Sequence, residues 1–118
     1  MSVASLFVKL AGGQQVVGGF SLSPYNGGNV SGSYTPNPLN GNYQYFTNNG
    51  AITFNAPTVD CAIDFLITNS ASAGAITFSG YTVSASTGDA FTTTNTHKFI
   101  LSIRRINGTS TYTKKALQ

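Results

Sequence analysis

Residues that could perform nucleophilic catalysis are present in the sequence, but their spacing forms no recognised catalytic set. His97 is the only histidine, while serine and aspartate offer several formal partners. A catalytic triad needs a nucleophile, a base and a group that orients the base. The Gly-x-Ser-x-Gly turn that exposes the serine of many hydrolases does not occur. We therefore expect His97 to be an exposed residue at a strand end, and we predict that the protein is not an enzyme.

The three aspartates are the only acidic residues, and two of them fall on one face of a predicted strand. Asp60 and Asp64 are four residues apart, so a rise of ~3.3 Å per residue separates them by about 13 Å. That distance is too long for a pair sharing one proton and exceeds the usual spacing of glycosidase carboxylates. A calcium site that adds Asp89 stays open as an alternative, although the sequence lacks the dense acidic spacing of calcium loops. We predict no metal and no cofactor.

The basic residues are concentrated near the C-terminus, where Lys98, Arg104, Arg105, Lys114 and Lys115 fall within the last 21 positions. Adjacent residues of a strand point to opposite faces, so the two consecutive basic pairs cannot form one patch of four charges. Phosphate binding requires several cations on one face. We therefore predict no nucleic-acid partner, and we expect Arg105 at the rim of a sheet or in a subunit contact with an aspartate.

The composition is poor in charge and rich in small polar residues. Charged residues make up 8% of the chain, against about 25% in ordinary soluble domains. Soluble monomers usually keep apart by charge, so this composition favours a subunit of an oligomer or lattice. Cys61 is the single cysteine and cannot form an internal disulfide. The sequence has no apolar run long enough for a transmembrane helix and no convincing signal peptide, so no membrane partner is predicted.

Strand-forming residues and turn signals predict an all-β protein. The chain contains 13 Gly and 4 Pro, which disfavour helix interiors, and many Thr, Phe, Tyr, Ile and Val. DCAIDFLIT and KFILSIRRI alternate between apolar and polar residues, as half-buried strands do. Asn49-Gly50 and Asn107-Gly108 are typical of hairpin turns. We predict six or seven mostly antiparallel strands in residues 43–117, and a β-sandwich or jelly-roll-like body over residues 43–118.

Residues 1–42 differ from this body and are predicted to form an extended N-terminal arm. They include a long stretch with three of the four prolines, which is unusual inside a compact domain.

The sequence GAITF occurs at residues 50–54 and again at 74–78. A solenoid needs at least three repeats, and only two copies are present. We therefore interpret the two copies as the same strand sequence used twice in one sheet core, without a duplicated functional site.

Most of the body resembles a group of phage proteins. The runs GNYQYFTNNGAITFNAP, DCAIDFLITNSASAGAITFSGYTV, TGDAFTTTN and KFILSIRRINGTSTYTKKAL lie between Gly41 and Gln118. Together they resemble small β-rich virion or tail-associated proteins encoded by tailed phages and prophages of rhizobia and their relatives. The resemblance covers about two-thirds of the chain and contains no catalytic motif. It implies a structural role in the virion.

These observations predict a phage virion structural protein, foremost a capsid decoration (cement) protein that binds the capsid exterior and stabilises the head. Its expected partners are the major capsid protein or other virion proteins, and its expected state is a homotrimer, synthesised in the cytoplasm of the bacterial host. The alternatives are a tail, collar or head-fibre subunit, or a carbohydrate- or receptor-binding module. The residues predicted to make assembly contacts are Phe7, Phe20, Tyr25, Tyr34 and Arg105.

Overall fold

The computed structural model describes residues 17–118, which fold as an all-β chain with one short 3₁₀ helix, so the predicted fold class is confirmed at this level. Within that range, no helix is long and apolar enough to cross a membrane. The elements are β1 (Tyr25–Tyr34), the 3₁₀ helix (Pro38–Asn40), β2 (Tyr43–Asn55), β3 (Cys61–Asn69), β4 (Ile76–Ser79), β5 (Lys98–Ile106) and β6 (Thr109–Ala116).

The six strands form one mixed sheet in the order β1-β2-β3-β5-β6, with β4 also paired to β2. The pairs β3–β5 and β5–β6 are antiparallel, and Asn107 and Gly108 form the predicted turn of the β5–β6 hairpin. The pairs β1–β2, β2–β3 and β2–β4 are parallel. The prediction of mostly antiparallel strands in the body is therefore wrong for the pairs β2–β3 and β2–β4. A two-sheet sandwich or jelly roll is not confirmed.

The parallel pairs arise because the chain coils around its own core. Only five residues connect β2 to β3, and six backbone steps reach about 20 Å, whereas a straight strand of 13 residues is about 43 Å long. β2 must therefore bend back toward its own start. The bend lies at residues 49–51, where the pairing of β2 with both neighbours is interrupted. The predicted Asn49-Gly50 hairpin is accordingly wrong, because these residues lie inside β2.

Each turn of the coiled chain pairs with the next, and the number of residues between paired positions is similar from turn to turn. Asn29 pairs with Thr47, Gln44 with Phe65, and Ile52 with Ile76, so the separation between paired residues grows only slightly from one coil to the next. The two GAITF copies lie directly side by side, with Ile52 beside Ile76 and Phe54 beside Phe78. The interpretation of GAITF as the same strand sequence used twice in one sheet is confirmed. The new finding is that the two copies pair with each other in parallel and in register.

Apolar residues that alternate along the strands fill the space inside the coils. Tyr34, Phe54 and Phe78 occupy equivalent positions on three neighbouring strands, and their ring centroids follow one another at 5.3 and 5.8 Å. Such aromatic contacts add to the free energy gained by burial alone. The fully enclosed apolar side chains are Val30, Phe46, Ile52, Phe54, Ile63, Phe65, Ile67, Phe99, Leu101 and Ile103.

Two buried asparagines fix the bend in the coils. The Asn48 amide nitrogen donates to the carbonyl of Gly74 at 2.8 Å, and its Oδ1 accepts from the Gly74 N–H at 3.1 Å. Asn69 lies beside Asn48 in the register and donates to the carbonyls of Thr92 and Thr94 at 2.7 and 3.0 Å. Buried polar groups need such partners, because an unmade hydrogen bond in the interior costs about 1–3 kcal/mol. Asn48 thereby joins β2 to the connection before β4, and Asn69 joins β3 to the connection after it.

The two edges of the sheet differ. β6 is covered along part of its free edge by residues 82–89, through hydrogen bonds from Thr82 N–H to the Ser110 carbonyl and from Lys114 N–H to the Thr87 carbonyl. β1 lies at the other edge and pairs with β2 along its length. The predicted arm of residues 1–42 is therefore not confirmed as a unit, because its residues 25–34 form a strand of the sheet. Residues 1–16 lie outside the described part of the chain.

Candidate functional site

Large apolar side chains are exposed together at one end of the sheet, which we call the apolar end and define as Leu39, Val59 and Ile106. Their exposed fractions are 92%, 49% and 65%. Leu39 lies on the 3₁₀ helix between β1 and β2, Val59 precedes β3, and Ile106 ends β5. Since Cys61 pairs with Arg105, the connection before β3 and the β5–β6 turn meet at the same end.

Local hydrogen bonds hold the two connections of the apolar end in place. The Asn37 side chain caps the 3₁₀ helix by accepting from the Leu39 N–H at 3.0 Å. The buried Gln44 amide donates to the carbonyls of Asn37 and Gly41, each at 2.9 Å. A groove of about 460 Å³ separates Leu39 from Val59 and has prolines in its wall. These bonds fix the Leu39 side of the groove to β2.

Asp60 connects the start of β3 to the β5–β6 turn. Its carboxylate accepts from the N–H groups of Asn107 and Gly108 at 2.8 and 3.1 Å, and it lies 3.6 Å from the Arg105 guanidinium. Asn107 and Gly108 both have positive φ, at 47° and 80°, as the tight hairpin turn requires. The carboxylate therefore anchors the turn in addition to forming an ion pair.

We expect Asp60→Ala to lower the free energy of unfolding by about 1–2 kcal/mol, because two backbone donors lose a charged acceptor that is itself half exposed. Asp64→Ala is the matched control, four residues along and inside β3, and should change stability by less than about 0.5 kcal/mol. Urea titration measures both variants. Equal losses for the two variants would show that the contacts of Asp60 with the turn contribute nothing to stability.

The outer face of the sheet, opposite the core, carries a second groove of about 380 Å³. Alternation places Tyr43 of β2, Asp64 of β3 and Ser102 of β5 in one row across this face, and Ala62 beside Arg104 in the next. Phe20, which belongs to the segment before β1, forms one side of the groove. Burial confirms the alternation, because the intervening residues of these strands point into the core.

Of the residues predicted as assembly contacts, the four that the structure describes do not form one surface. Phe7 lies outside the described residues. Phe20 is exposed beside the outer groove, and Tyr25 is exposed at the start of β1. Tyr34 is partly buried against the core, and Arg105 forms an ion pair with Asp60 of the same chain. An assembly role for these residues stays a prediction. Sequence reasoning missed the apolar end, and a leucine between prolines and turn residues was its only signal.

Burial changes the acidity of three groups near the core. It raises the pKa of the Tyr34 hydroxyl, and the nearby Tyr25 adds to this effect. Burial also raises the pKa of Tyr81, whose hydroxyl donates to the Asn55 carbonyl at 2.9 Å. The pKa of the Cys61 thiol is raised by burial, with a smaller opposing effect of Arg105. All three groups are therefore neutral at physiological pH, and the Cys61 thiol is a poor nucleophile.

The remaining candidates for chemistry are dispersed. The His97 ring lies directly before β5, and its Nδ1 is 2.8 Å from the Thr92 hydroxyl. Within residues 17–118, no three His, Cys, Asp or Glu side chains lie close enough together to hold a metal ion. The described surface carries grooves at the apolar end and on the outer face of the sheet. The chain matches no protein-family model, no curated protein and no solved structure with which it was compared.

Proposed function

We propose that this chain is a structural protein of a phage virion, and foremost a capsid decoration protein that binds the capsid exterior and stabilises the head. The observation that carries the assembly role is the apolar end, where Leu39 and Val59 line one groove and Ile106 is exposed at the same end of the sheet. Isolated exposed apolar residues are ordinary, but several at one end of a sheet favour an interaction surface. The virion setting is proposed from the sequence resemblance of residues 41–118 to phage proteins, which the comparisons with known proteins do not test.

In this proposal the protein performs no chemistry and acts by contact. The cores of protein interfaces are depleted of charge, and this chain has only 8% charged residues. Each copy would dock its apolar end on the major capsid protein, and a homotrimer would present three such ends at once. Linked contacts of modest strength then give a much tighter combined attachment. The residues upstream of β1 would contact a neighbouring subunit as the arm, while Phe20 stays beside the outer groove of its own chain.

Capsid binding tests the proposal through one substitution and one control. Leu39→Asp places a charge at the apolar end, so it should weaken co-sedimentation with capsids at least tenfold while leaving the fold intact, because Leu39 is 92% exposed. Leu117→Asp is the control, since Leu117 is 50% exposed and follows β6 at the opposite end of the sheet. Equal binding by both variants and the unchanged chain would remove the apolar end from the interface.

Imaging of virions separates the head from the tail. Density for this chain on the capsid surface supports the decoration role, whereas density on the tail or collar supports the alternative of a tail, collar or head-fibre subunit. Sedimentation equilibrium of the free protein tests the trimer, which should have three times the chain mass of 12.3 kDa. A monomer mass at micromolar concentration would contradict the trimer.

A further inference from the structure

The outer groove combines an aromatic ring with polar side chains on a rigid sheet. Tyr43, half exposed, lies at one side of the groove, with Phe20 and Leu22 of the preceding segment nearby. Asp64 and Arg104 lie on the neighbouring strands β3 and β5. The groove is thus held by three hydrogen-bonded strands, so its side chains keep fixed spacings.

The charges in this groove differ from the others in the described part of the chain, because they have no partner there. Asp60 accepts from the hairpin turn, and Asp89 accepts from the Ala116 N–H at 2.9 Å. Within residues 17–118, Asp64 is the one acid whose carboxylate has neither a hydrogen bond nor an ion pair, and Arg104 is the one base without a hydrogen bond, an ion pair or a contact with an aromatic ring. The other bases contact Asp60 (Arg105), Asp89 (Lys115), Thr68 (Lys98) and the Phe91 ring (Lys114).

Asp64 and Arg104 are diagonal neighbours, since Asp64 faces Ser102 and Ala62 faces Arg104. Diagonal neighbours on paired strands lie about 7–8 Å apart, which is close enough for a guanidinium to reach a carboxylate. They nevertheless form no ion pair, as their charged groups are more than 4.0 Å apart. Both groups are therefore available to a molecule placed between them.

We propose that the outer groove binds a neutral saccharide. A sugar hydroxyl both donates and accepts, so neighbouring hydroxyls can donate to the Asp64 carboxylate and accept from the Arg104 guanidinium. A charged ligand would be attracted by one of these groups and repelled by the other. The Tyr43 ring offers an apolar surface to the C–H face of the sugar ring, and the Ser102 hydroxyl adds a further polar contact.

The size and shape of the groove fit a short stretch of glycan. Its volume of about 380 Å³ is at the small end of the range for ligand pockets, about 300–1,000 Å³. A small saccharide fits a space of this size, and the open sheet face lets a longer chain continue past it. The groove thus gives the protein a binding activity separate from assembly through the apolar end.

A printed array of neutral, sialylated and sulphated glycans tests this site with the full-length chain. We expect neutral glycans to bind, and the best binder to lose at least tenfold in affinity with Tyr43→Ala or Asp64→Asn when titrated by NMR. Tyr45→Ala is the matched control, because Tyr45 lies two residues along on the same exposed face but outside the groove. It should retain affinity within about twofold.

Three results would overturn the proposal: no neutral glycan binds, only anionic glycans bind, or Tyr45→Ala loses as much affinity as Tyr43→Ala. Thermal unfolding of each variant confirms that a loss of binding does not reflect loss of fold. Leu39→Asp should bind glycan like the unchanged chain. If instead Tyr43→Ala abolishes capsid binding while no glycan binds, the outer groove is a protein contact and the saccharide assignment is wrong.

Discussion

Asn48→Asp is expected to destabilise the protein by about 3–5 kcal/mol at pH 7, a large part of the ~5–15 kcal/mol that holds a small domain folded. The Asn48 side chain is 1% exposed, and its amide nitrogen donates to the Gly74 carbonyl at 2.8 Å. A carboxylate at this position has no proton to donate, so one of its oxygens would face the carbonyl oxygen. The substitution changes almost no volume, and the loss therefore reports the hydrogen bond and the buried charge alone.

The effect of Asn48→Asp should depend on pH in a defined direction. Burial and the facing carbonyl disfavour the charged form, so the pKa of the new carboxyl in the folded state is raised above the unfolded value of about 3.9. A group of this kind is least harmful below that value, where both states are protonated and the neutral acid can donate. The destabilisation should therefore fall to about 1–3 kcal/mol at pH 3.5 and grow as the pH rises toward 7.

Urea titrations at pH 3.5 and 7 measure this difference, with Asn26→Asp as the control. Asn26 is exposed and uses only its Oδ1, which accepts from the Gly28 N–H at 2.9 Å. An aspartate makes the same bond, so stability should change by less than about 0.5 kcal/mol at either pH. A loss for Asn48→Asp that is independent of pH would mean that the new carboxyl is not buried as the structure requires.

Sequence patterns alone could predict the strands that follow simple alternation. Ile63, Phe65 and Ile67 of β3, and the equivalent positions of β5, are buried as expected. The Asn107-Gly108 turn could also be predicted from the sequence, because its conformation depends on two adjacent residues. Both cases depend on short-range rules that hold whatever the rest of the chain does.

The coiled arrangement could not be predicted in this way. Alternation of apolar and polar residues is the same in parallel and antiparallel strands, so it carries no information on direction. Asn49-Gly50 has the composition of a hairpin turn, but contacts between Asn48 and Gly74, which are distant in the sequence, hold it inside a bent strand. The binding surfaces were hidden for the same reason, since Tyr43, Asp64 and Arg104 come together only across three paired strands.

Gly74→Ala tests the coiled packing most directly and should be the most damaging glycine substitution among the GAITF copies. A Cβ at Gly74 would lie 2.6 Å from Ala51 Cα and would also overlap the Ala51 backbone nitrogen. Backbone atoms of a neighbouring coil cannot move aside without breaking the hydrogen bonds of Asn48. We expect a loss of at least about 3 kcal/mol, at or above the usual cost of overpacking.

The equivalent glycine of the first copy provides the control, because Gly50→Ala places the same methyl group in the same repeated sequence. Its Cβ would meet the Ser31 side chain at 3.0 Å, on the edge strand β1, which can shift by a few tenths of an ångström. The loss should stay at the low end of the cost of overpacking, about 1 kcal/mol. Urea titration measures both variants. If the two substitutions lower the free energy of unfolding equally, the two copies are equivalent strands. The close contact of Gly74 with the bend at residues 49–51 would then be wrong. A clearly larger loss for Gly74→Ala shows that position in the stack, and not the repeated sequence, decides what each copy tolerates.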